Sequence, residues 1–236
     1  MLLLSKVTAG EVPSVQIREG EFIKDWLVCG TFPNPLKEGI VEYRHDETTL
    51  GFYIDYLAKG GGETGIQPDE GASIDPGDGV VRVWKRYQSP TDYIDFCKIY
   101  EDNQGGKVAY AFCYLISNEE KQITLGVGSN DGVRVWLNGE LIWDHHCPRP
   151  AIPDEDCFNV QLKSGKNSLL IKVDQGYGNW GFYCRAVNRE EVIKKLLEVP
   201  DVRCDISYVL ENNGLRIWMA RYSRYRIIEP PIQYTV

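Results

Sequence analysis

A short glycine-containing stretch, residues 174–180, combines aromatic rings with planar amide groups. The residues of interest are Gln175, Tyr177, Asn179 and Trp180. An aromatic ring stacks on the apolar C–H face of a sugar ring, and an amide hydrogen-bonds neighbouring hydroxyls. Glycines on both sides of Tyr177 leave the backbone accessible, so this loop is a candidate carbohydrate-binding site. In the alternative interpretation, Trp180 caps a hydrophobic core and the glycines only satisfy turn geometry.

A second stretch with suitable chemistry begins at residue 143. Its residues of interest are Trp143, Asp144, His145, His146 and Arg149. A carboxylate and a guanidinium beside an indole suit sugar hydroxyls, so Trp143, Asp144, His145 and Arg149 are also candidate carbohydrate ligands. An ion pair would explain Asp144 and Arg149 equally well. Arg149 lies between two prolines, which favours a stiff loop. Adjacent histidines in a strand point to opposite faces, so His145 and His146 make a poor pair of metal ligands.

Acidic residues are concentrated in a segment rich in glycine and proline, residues 65–79. The four carboxylates considered as Ca²⁺ ligands are Asp69, Glu70, Asp75 and Asp78. Hard oxygen ligands in a tight loop can hold Ca²⁺, but their spacing matches no EF-hand loop. A solvated acidic loop is therefore the favoured interpretation, and no other cofactor is predicted.

Catalysis has little support in the sequence. No GxSxG and no phosphate-cradling glycine motif occurs, so we expect a protein that is not an enzyme. A carboxylate pair for glycoside hydrolysis stays open, since such pairs are assembled in space. The net charge of −8 argues against nucleic acid and anionic membranes as partners. The opening apolar run is too short for a secretory signal, and none reaches the length of a membrane span, which leaves localisation open.

The pattern of short apolar runs interrupted by Gly, Asn, Asp and Pro predicts many strands. The run at 108–116 is apolar on both parities, as in a central strand covered on both faces. Residues 131–144 predict a hairpin with Asn138 and Gly139 in a type I′ turn. In that register Trp136 faces Leu141, Val135 faces Ile142 and Arg134 faces Trp143, so one hairpin face would carry both tryptophans and would need cover.

Strands are also predicted at residues 167–173 and 181–187. Asn188 followed by Glu191 predicts the start of a helix over 190–199, which Pro200 would end. Residues 201–236 contain two strand-like runs around an Asn-Gly pair and predict a second hairpin. Seven cysteines without a compact metal-binding pattern favour buried thiols, although Cys147 and Cys157 flank a loop that a disulfide could close in an oxidising compartment.

Several of these segments resemble the galactose-binding-like modules attached to bacterial polysaccharide-degrading enzymes and cell-surface proteins. The resemblance rests on DWLVCGTFPNP (25–35), GSNDGVRVWLNGELIW (128–143), DEDCFNVQLKSGKNSLLIKV (154–173) and GNWGFYCR (178–185). Where such modules usually read Gly-Pro-Phe in the entry strand, this chain has Gly30, Thr31 and Phe32. The matched motifs are mostly turns and core positions, so they transfer no binding residue.

The resemblance implies an all-β fold, a jelly-roll β-sandwich with one short helix and a C-terminal β-hairpin extension. With the residue patterns it predicts three parts: the jelly roll over 22–190, which the resemblance covers, a leader or edge segment over 1–21 with little periodicity, and an extension over 191–236 that either completes this domain or begins another. It also implies an extracellular or cell-surface location and is compatible with a structural Ca²⁺.

Three functions follow as hypotheses. The first is a non-catalytic carbohydrate-binding accessory module that recognises a poly- or oligosaccharide. The second is a structural or assembly module that contacts other domains or a second copy through aromatic surfaces, including Trp218, Tyr222 and Tyr225 near the C-terminus. The third is a fragment of a glycoside hydrolase or another carbohydrate-active enzyme.

Overall fold

The computed structural model describes residues 12–38, 49–101 and 105–188 in full, and the backbone of 203–211, 214–223 and 226–235. The chain divides into two compact units, residues 1–187 and 188–236. The described parts are mostly β-strands, so the protein is all-β. Within the described residues, no helix is long and apolar enough to cross a membrane.

The described part of the first unit contains thirteen strands and one short α-helix. They are β1 (Ser14–Gln16), β2 (Asp25–Pro33), β3 (Ser73–Ile74), β4 (Arg82–Val83), β5 (Lys85–Gln88), β6 (Ile94–Asp95), α1 (Phe96–Tyr100), β7 (Lys107–Ser117), β8 (Lys121–Asn130), β9 (Val133–Leu137), β10 (Glu140–His145), β11 (Asp156–Leu162), β12 (Gly165–Gln175) and β13 (Gly181–Val187). Helix α1 begins where the Asp95 carboxylate accepts a hydrogen bond of 3.1 Å from the Lys98 amide.

Two main sheets face each other. One has seven strands in the order β10-β9-β12-β7-β2-β5, with β1 pairing in parallel with the end of β7, and the other has four strands in the order β11-β8-β13-β6. A small pair, β3-β4, forms a separate two-stranded sheet. Strands β7 and β12 pair over eleven residues each, from Lys107 opposite Gln175 to Ser117 opposite Gly165. This long ladder places the loop after β12 beside the start of β7.

Strand β7 lies in the middle of the hydrophobic core, as its sequence predicts. Its residues of one parity, Ala109, Ala111, Cys113 and Leu115, are buried between the two main sheets. Those of the other parity, Val108, Tyr110 and Phe112, are buried on the opposite face of the seven-stranded sheet. Apolar residues of the 49–74 segment cover this second face, and they are Tyr56, Leu57, Ile66 and Ile74. Both faces of β7 are therefore removed from water, which explains its continuous apolar run.

A buried polar network ties the 49–74 segment to the sheet. Lys172, fully buried on β12, donates to Glu63 Oε1 at 2.8 Å and to the Ile54 carbonyl at 2.7 Å. The Tyr110 hydroxyl donates to the same Glu63 oxygen at 2.7 Å. Burial lowers the pKa of Lys172, and the adjacent Glu63 carboxylate opposes that shift. Because each charge has a partner, the segment closes over the sheet without an unpaired buried ion.

The predicted hairpin forms between β9 and β10, with Asn138 at φ 53° and Gly139 at φ 82° as a type I′ turn requires. Leu141 pairs with Trp136 as predicted. Beyond that pair the predicted register is wrong, because a β-bulge at Ile142 pairs Trp143 with Val135 and Asp144 with Arg134. An extra residue in one strand moves every later side chain to the other face.

The bulge separates the two tryptophans that the sequence placed on one face. Trp136 is buried under the 49–74 segment, whereas Trp143 packs against the core between the two main sheets and stacks on Phe158 at 4.8 Å. No single tryptophan-rich face therefore exists on this hairpin. Each indole has cover from within the chain.

The second unit contains three described strands, β14 (Arg203–Glu211), β15 (Gly214–Ser223) and β16 (Arg226–Thr235), in the order β14-β15-β16. The predicted pairing around Asn213 and Gly214 is present, since Glu211 lies opposite Gly214 and Arg203 opposite Tyr222. A third antiparallel strand, which the sequence did not predict, extends the hairpin. The helix predicted over 190–199 and the side chains of Trp218, Tyr222 and Tyr225 lie outside the described residues.

Candidate functional site

The loop that follows β12 is held by contacts from three directions. The Gly176 amide donates to Asp131 Oδ2 at 2.8 Å, and the Gly176 carbonyl accepts from the Gly106 amide at 3.2 Å. The Gln175 side-chain amide and the Cys97 thiol both donate to the Gly178 carbonyl. The loop backbone is thus anchored on both sides of residue 177.

Two of the residues predicted to bind carbohydrate are exposed on this anchored loop. Tyr177 is 81% exposed, the largest exposure among the described large hydrophobic residues, and Asn179 is also exposed. An exposed tyrosine on a fixed backbone is available for stacking at a small entropic cost. Tyr177 and Asn179 are therefore available to a ligand.

The other two predicted residues of this loop are internal. Gln175 and Trp180 have no solvent exposure. The Trp180 ring packs against Phe96 at 5.0 Å, and its Nε1–H donates to the Val173 carbonyl at 3.3 Å. Neither face of this indole is open to a sugar. The prediction that Gln175 and Trp180 contact a ligand is corrected, because one anchors the loop and the other caps the core.

A groove of about 690 Å³ opens beside the loop. Its described lining consists of Gly30, Thr31, Phe32, Pro33, Asn34, Pro35, Val80, Val81, Arg82, Tyr100, Gly105, Gly106 and Lys107. Gly105 has φ +77°, and a Cβ there would lie 2.6 Å from the Gly176 carbonyl oxygen. Glycine is therefore required where the wall of the groove meets the loop that carries Tyr177.

One wall of the groove is apolar and positioned by an arginine. Val80 and Val81 are 54% and 60% exposed. Arg82 Nε donates to the Thr31 carbonyl at 2.9 Å, and Nη1 contacts both Asp78 and the Val80 carbonyl. These bonds fix the backbone at Val80, so the exposed valines form a defined surface.

Beneath the groove lies a buried carboxylate with several donors. Asp174 accepts from the Gly132 amide and from Asn34 Nδ2, each at 2.9 Å. Its Oδ2 also lies 3.3 Å from Thr49 Oγ1 and 3.2 Å from His146 Nε2. Asn34 reaches from this network to the groove lining. A carboxylate with this many donors is a structural centre that positions the groove floor.

His146 also belongs to this network around Asp174. From the sequence it was considered only as a metal ligand. Its ring stacks on Phe52 at 4.1 Å, and Nδ1 lies 3.3 Å from the Tyr53 hydroxyl. Its partners Thr49 and Tyr53 are 97 and 93 residues away along the chain. No local spacing could have indicated these contacts.

Asp131 connects the two stretches singled out in the sequence. Its carboxylate accepts from the Gly176 amide at 2.8 Å and from the Arg149 amide at 3.1 Å. Burial raises the pKa of Asp131 to about 6, although these two backbone hydrogen bonds favour the ionised form. The protonation state of Asp131 therefore affects the hydrogen bonds that hold both loops.

The second stretch forms a closed ion-pair network. Arg149 makes a bidentate contact with Asp156, and His145 Nδ1 lies 3.0 Å from Asp156 Oδ1. Burial alone would raise the pKa of Asp156, but the hydrogen bonds from His145 and Arg149 outweigh it and lower the pKa. Asp144 is bonded to Arg134 at 2.9 Å. The prediction of a sugar platform here is corrected, because Trp143 is packed and all three polar candidates have internal partners.

The acidic segment shows no cation site. Asp78 is engaged with Arg82, while Asp75 accepts from the Gly77 amide and lies 3.9 Å from Lys59. Throughout the part of the chain with described side chains, no group of three or more His, Cys, Asp or Glu residues is placed to hold a metal. The predicted Ca²⁺ ligands Asp69, Glu70, Asp75 and Asp78 are not brought together.

The sequence favours buried thiols, and the six described cysteines agree with this in part: Cys29, Cys113 and Cys184 are buried, whereas Cys97, Cys147 and Cys157 are half-buried. Burial raises the pKa of Cys29 to about 12 and holds the pKa of Cys113 and Cys184 well above the usual value, so these thiols are protonated at neutral pH. No disulfide joins Cys147 to Cys157 in the described structure. Instead, the Cys157 thiol donates to the Asp154 carbonyl at 3.4 Å.

Comparison with known proteins gives distant structural similarities only. No family model matches the sequence, and no curated protein matches it. An anti-sigma factor domain-containing protein is 16% identical over 43% of this chain and 36% of its own, at a TM-score of 0.35. A β-glucosidase from Kluyveromyces marxianus is 14% identical over 49% of this chain and 16% of its own, at 0.34.

A β-glucuronidase from Ruminococcus gnavus is 10% identical over 88% of this chain and 35% of its own, at a TM-score of 0.39. This chain thus spans between 16% and 36% of the three solved chains. Two of the three are carbohydrate-active enzymes, but similarity at this level assigns neither a function nor a site.

Proposed function

We propose that this chain is a non-catalytic carbohydrate-binding module that recognises a glycan by stacking on Tyr177 and by hydrogen bonds from Asn179. The observation that carries the proposal is the anchored loop, which keeps Tyr177 81% exposed while its backbone is bonded on both sides. A large aromatic ring exposed on a rigid loop has the properties of a preorganised contact.

The chemistry of the loop favours a sugar. The tyrosine ring offers an apolar face to C–H groups, while the Asn179 amide both donates and accepts, as ring hydroxyls do. Gly176 and Gly178, on either side of Tyr177, lack side chains that could cover its ring. The net charge of −8 disfavours a polyanion as the alternative ligand.

The finer fold we propose is a jelly roll. From β7 onward the chain alternates between the facing sheets: β7, the β9-β10 hairpin and β12 lie in the seven-stranded sheet, while β8, β11 and β13 lie in the four-stranded one. Repeated crossing between two antiparallel sheets is typical of jelly rolls. In this topology the loops gather at the two ends of the sandwich, and the loop with Tyr177 joins β12 of one sheet to β13 of the other at such an end.

The assembly hypothesis has weaker support. Its main argument was a tryptophan-bearing hairpin face, and both Trp136 and Trp143 are covered from within the chain. The aromatic residues of the second unit have no described side chains and add nothing to either hypothesis. The enzyme-fragment hypothesis stays a prediction.

A binding screen tests the proposal. The intact chain is assayed on an array and by affinity gel electrophoresis against neutral and acidic plant, microbial and host glycans. We expect retention on at least one of them. Tyr177→Ala should weaken that binding about tenfold or more, and Tyr177→Phe, which keeps the ring, should retain most of it.

The matched control is Tyr114→Ala. Tyr114 is a partly exposed tyrosine seven residues beyond Lys107 on β7, roughly 23 Å along the strand from the groove. It should bind as the unchanged protein does. Absence of retention on every glycan, or equal losses in the Tyr177→Ala and Tyr114→Ala variants, would refute the proposal.

A further inference from the structure

The groove beside Tyr177 is continuous with the loop that carries it. The Gly106 amide, in the groove lining, donates to the Gly176 carbonyl at 3.2 Å. The neighbouring Gly105 touches the same loop, since a Cβ at this position would lie 3.4 Å from the Tyr177 Cα. A ligand stacked on Tyr177 therefore has its next unit directed along or beside the groove.

The groove is larger than the platform requires. Its volume of about 690 Å³ lies in the range of sites that enclose drug-sized ligands, roughly 300–1,000 Å³. A platform for one sugar ring needs only the tyrosine face. The additional space indicates a ligand with more than one unit.

The lining matches the mixed surface of a sugar chain. Val80 and Val81 offer apolar contact to C–H faces and are held in place by Arg82. Gly30 and Gly106 carry no side chains, so a ligand can approach the backbone closely at these positions. Apolar walls with a few polar groups are typical of sites for small organic ligands.

Tyr100, which also lines the groove, has an unusual hydroxyl. Within the described structure this buried oxygen has no hydrogen-bond partner. Buried hydroxyls nearly always have one, because an unpaired group loses its hydration without compensation. A ligand hydroxyl at the inner end of the groove would supply the missing partner.

The arginine of the lining is already paired with a carboxylate. Arg82 is paired with Asp78 and the Thr31 carbonyl, and Lys107 is engaged as well. No carboxylate belongs to the described lining. The groove therefore offers hydrogen bonds and apolar contact rather than a net charge, which favours neutral sugars over acidic ones.

We propose that this groove is a second sugar subsite, so that the module binds a neutral oligosaccharide with one unit on Tyr177 and at least one further unit between Val81 and Tyr100. The inference rests on the proposed function, because it extends the same site. It adds a minimum ligand length, a charge preference and a second contact surface.

The test is titration calorimetry of the intact chain with neutral gluco-, galacto-, manno- and xylo-oligosaccharides of one to six units, and with uronic-acid oligomers of the same lengths. We expect affinity to rise about tenfold between one and three units, equivalent to about 1.4 kcal/mol. Val81→Ser should remove most of that gain and leave the single-unit affinity unchanged.

The matched control is Val83→Ser, an exposed valine two residues away that does not belong to the described groove lining. It should retain the full gain with length, and thermal unfolding checks that both variants are folded. Affinity independent of length, or equal behaviour of the two valine variants, would overturn the second subsite while leaving the Tyr177 platform intact.

Two further outcomes are decisive. Tighter binding of the uronic-acid oligomers than of the neutral ones would overturn the charge preference. Failure of every oligosaccharide to bind, when the chain is retained on another glycan of the array, would overturn this subsite alone, and absence of binding in both assays would overturn the proposed function as well.

Discussion

Two stretches of this chain, around Tyr177 and around Arg149, contain the same kinds of side chain but differ in whether those side chains are exposed or bonded within the chain. Around Tyr177, the polar groups that hold the loop are mostly backbone atoms and buried side chains, which leaves the ring and Asn179 exposed. Around Arg149, the candidate side chains themselves form the network, with Asp156 as its centre. Residue type alone therefore does not distinguish a binding surface from a structural one. A binding surface differs from a structural one in that its side chains do not already have hydrogen-bond or ion-pair partners within the chain.

The largest effect that separates the two regions is expected from Arg149→Ala. Removing the guanidinium leaves Asp156 buried without its main partner, and losses of about 3–5 kcal/mol are typical of such changes. Chemical denaturation should show this loss, while glycan affinity at a temperature where the variant is folded stays unchanged. Arg149→Lys, which keeps the charge but loses the bidentate geometry, should lie between. Tyr177→Ala should show the reverse pattern, and a stable Arg149→Ala variant that no longer binds would break the comparison.

The second effect concerns pH, and Asp131 and Asp156 should respond in opposite directions. The pKa of Asp131 is raised from 3.8 to about 6, so the folded state binds a proton here that the unfolded chain releases. The stability contributed by Asp131 is therefore fully present below pH 3.8 and is lost as pH rises through about 6, with a loss on the order of 2 kcal/mol between about pH 4 and about pH 6. The lowered pKa of Asp156 contributes stability above its unfolded pKa that is lost as pH falls.

Denaturant unfolding between pH 4 and pH 7 measures this difference. The measured quantity is the free energy of unfolding of the unchanged protein minus that of Asp131→Asn. This difference should fall as pH rises from 4 to 6 and level off at higher pH. Asp156→Asn serves as the opposing case, measured to lower pH: its disadvantage relative to the unchanged protein should be nearly constant from pH 7 to pH 4 and should shrink as the pH falls below about 4. Parallel curves for the unchanged protein and Asp131→Asn would show that the Asp131 carboxyl titrates as it does in the unfolded chain.

The smallest effect is expected from Asp144→Ala. Its side chain is 38% exposed and paired with Arg134, and pairs of this kind contribute about 0–1 kcal/mol. The melting temperature should fall by no more than about 2–4 °C, and glycan affinity should not change. A clear loss of glycan binding would show that Asp144 contributes to the binding site, and the 143–149 stretch would again be a candidate site.

Local features of the sequence predicted much of the fold. The Asn138–Gly139 turn, the central strand β7 and strand β13 all follow from short-range properties: positive φ angles, apolar runs and turn residues. The bulge at Ile142 has no such signal, because a pattern of alternating residues is equally compatible with a regular register. Because the bulge was not predicted, the predicted register placed Trp143 on the wrong face of the hairpin.

The candidate site was predicted in part. Tyr177 and Asn179 lie in a loop whose glycines are visible in the sequence, and the structure leaves both exposed. The groove was not predicted, because its walls come from residues near positions 30, 80 and 105. The anchoring carboxylates Asp131 and Asp174 were missed for the same reason.

What the sequence determined by itself is therefore local: where strands run, where the chain turns, and that the fold is all-β. The tertiary structure alone decided which of several similar side chains stays exposed. Asn34 meets Asp174 across 140 residues and His146 meets Thr49 across 97, and such contacts exist only after the sheets have paired. Trp180 and Tyr177, three residues apart, differ because one points into the core and the other stands on a loop tied down by distant partners.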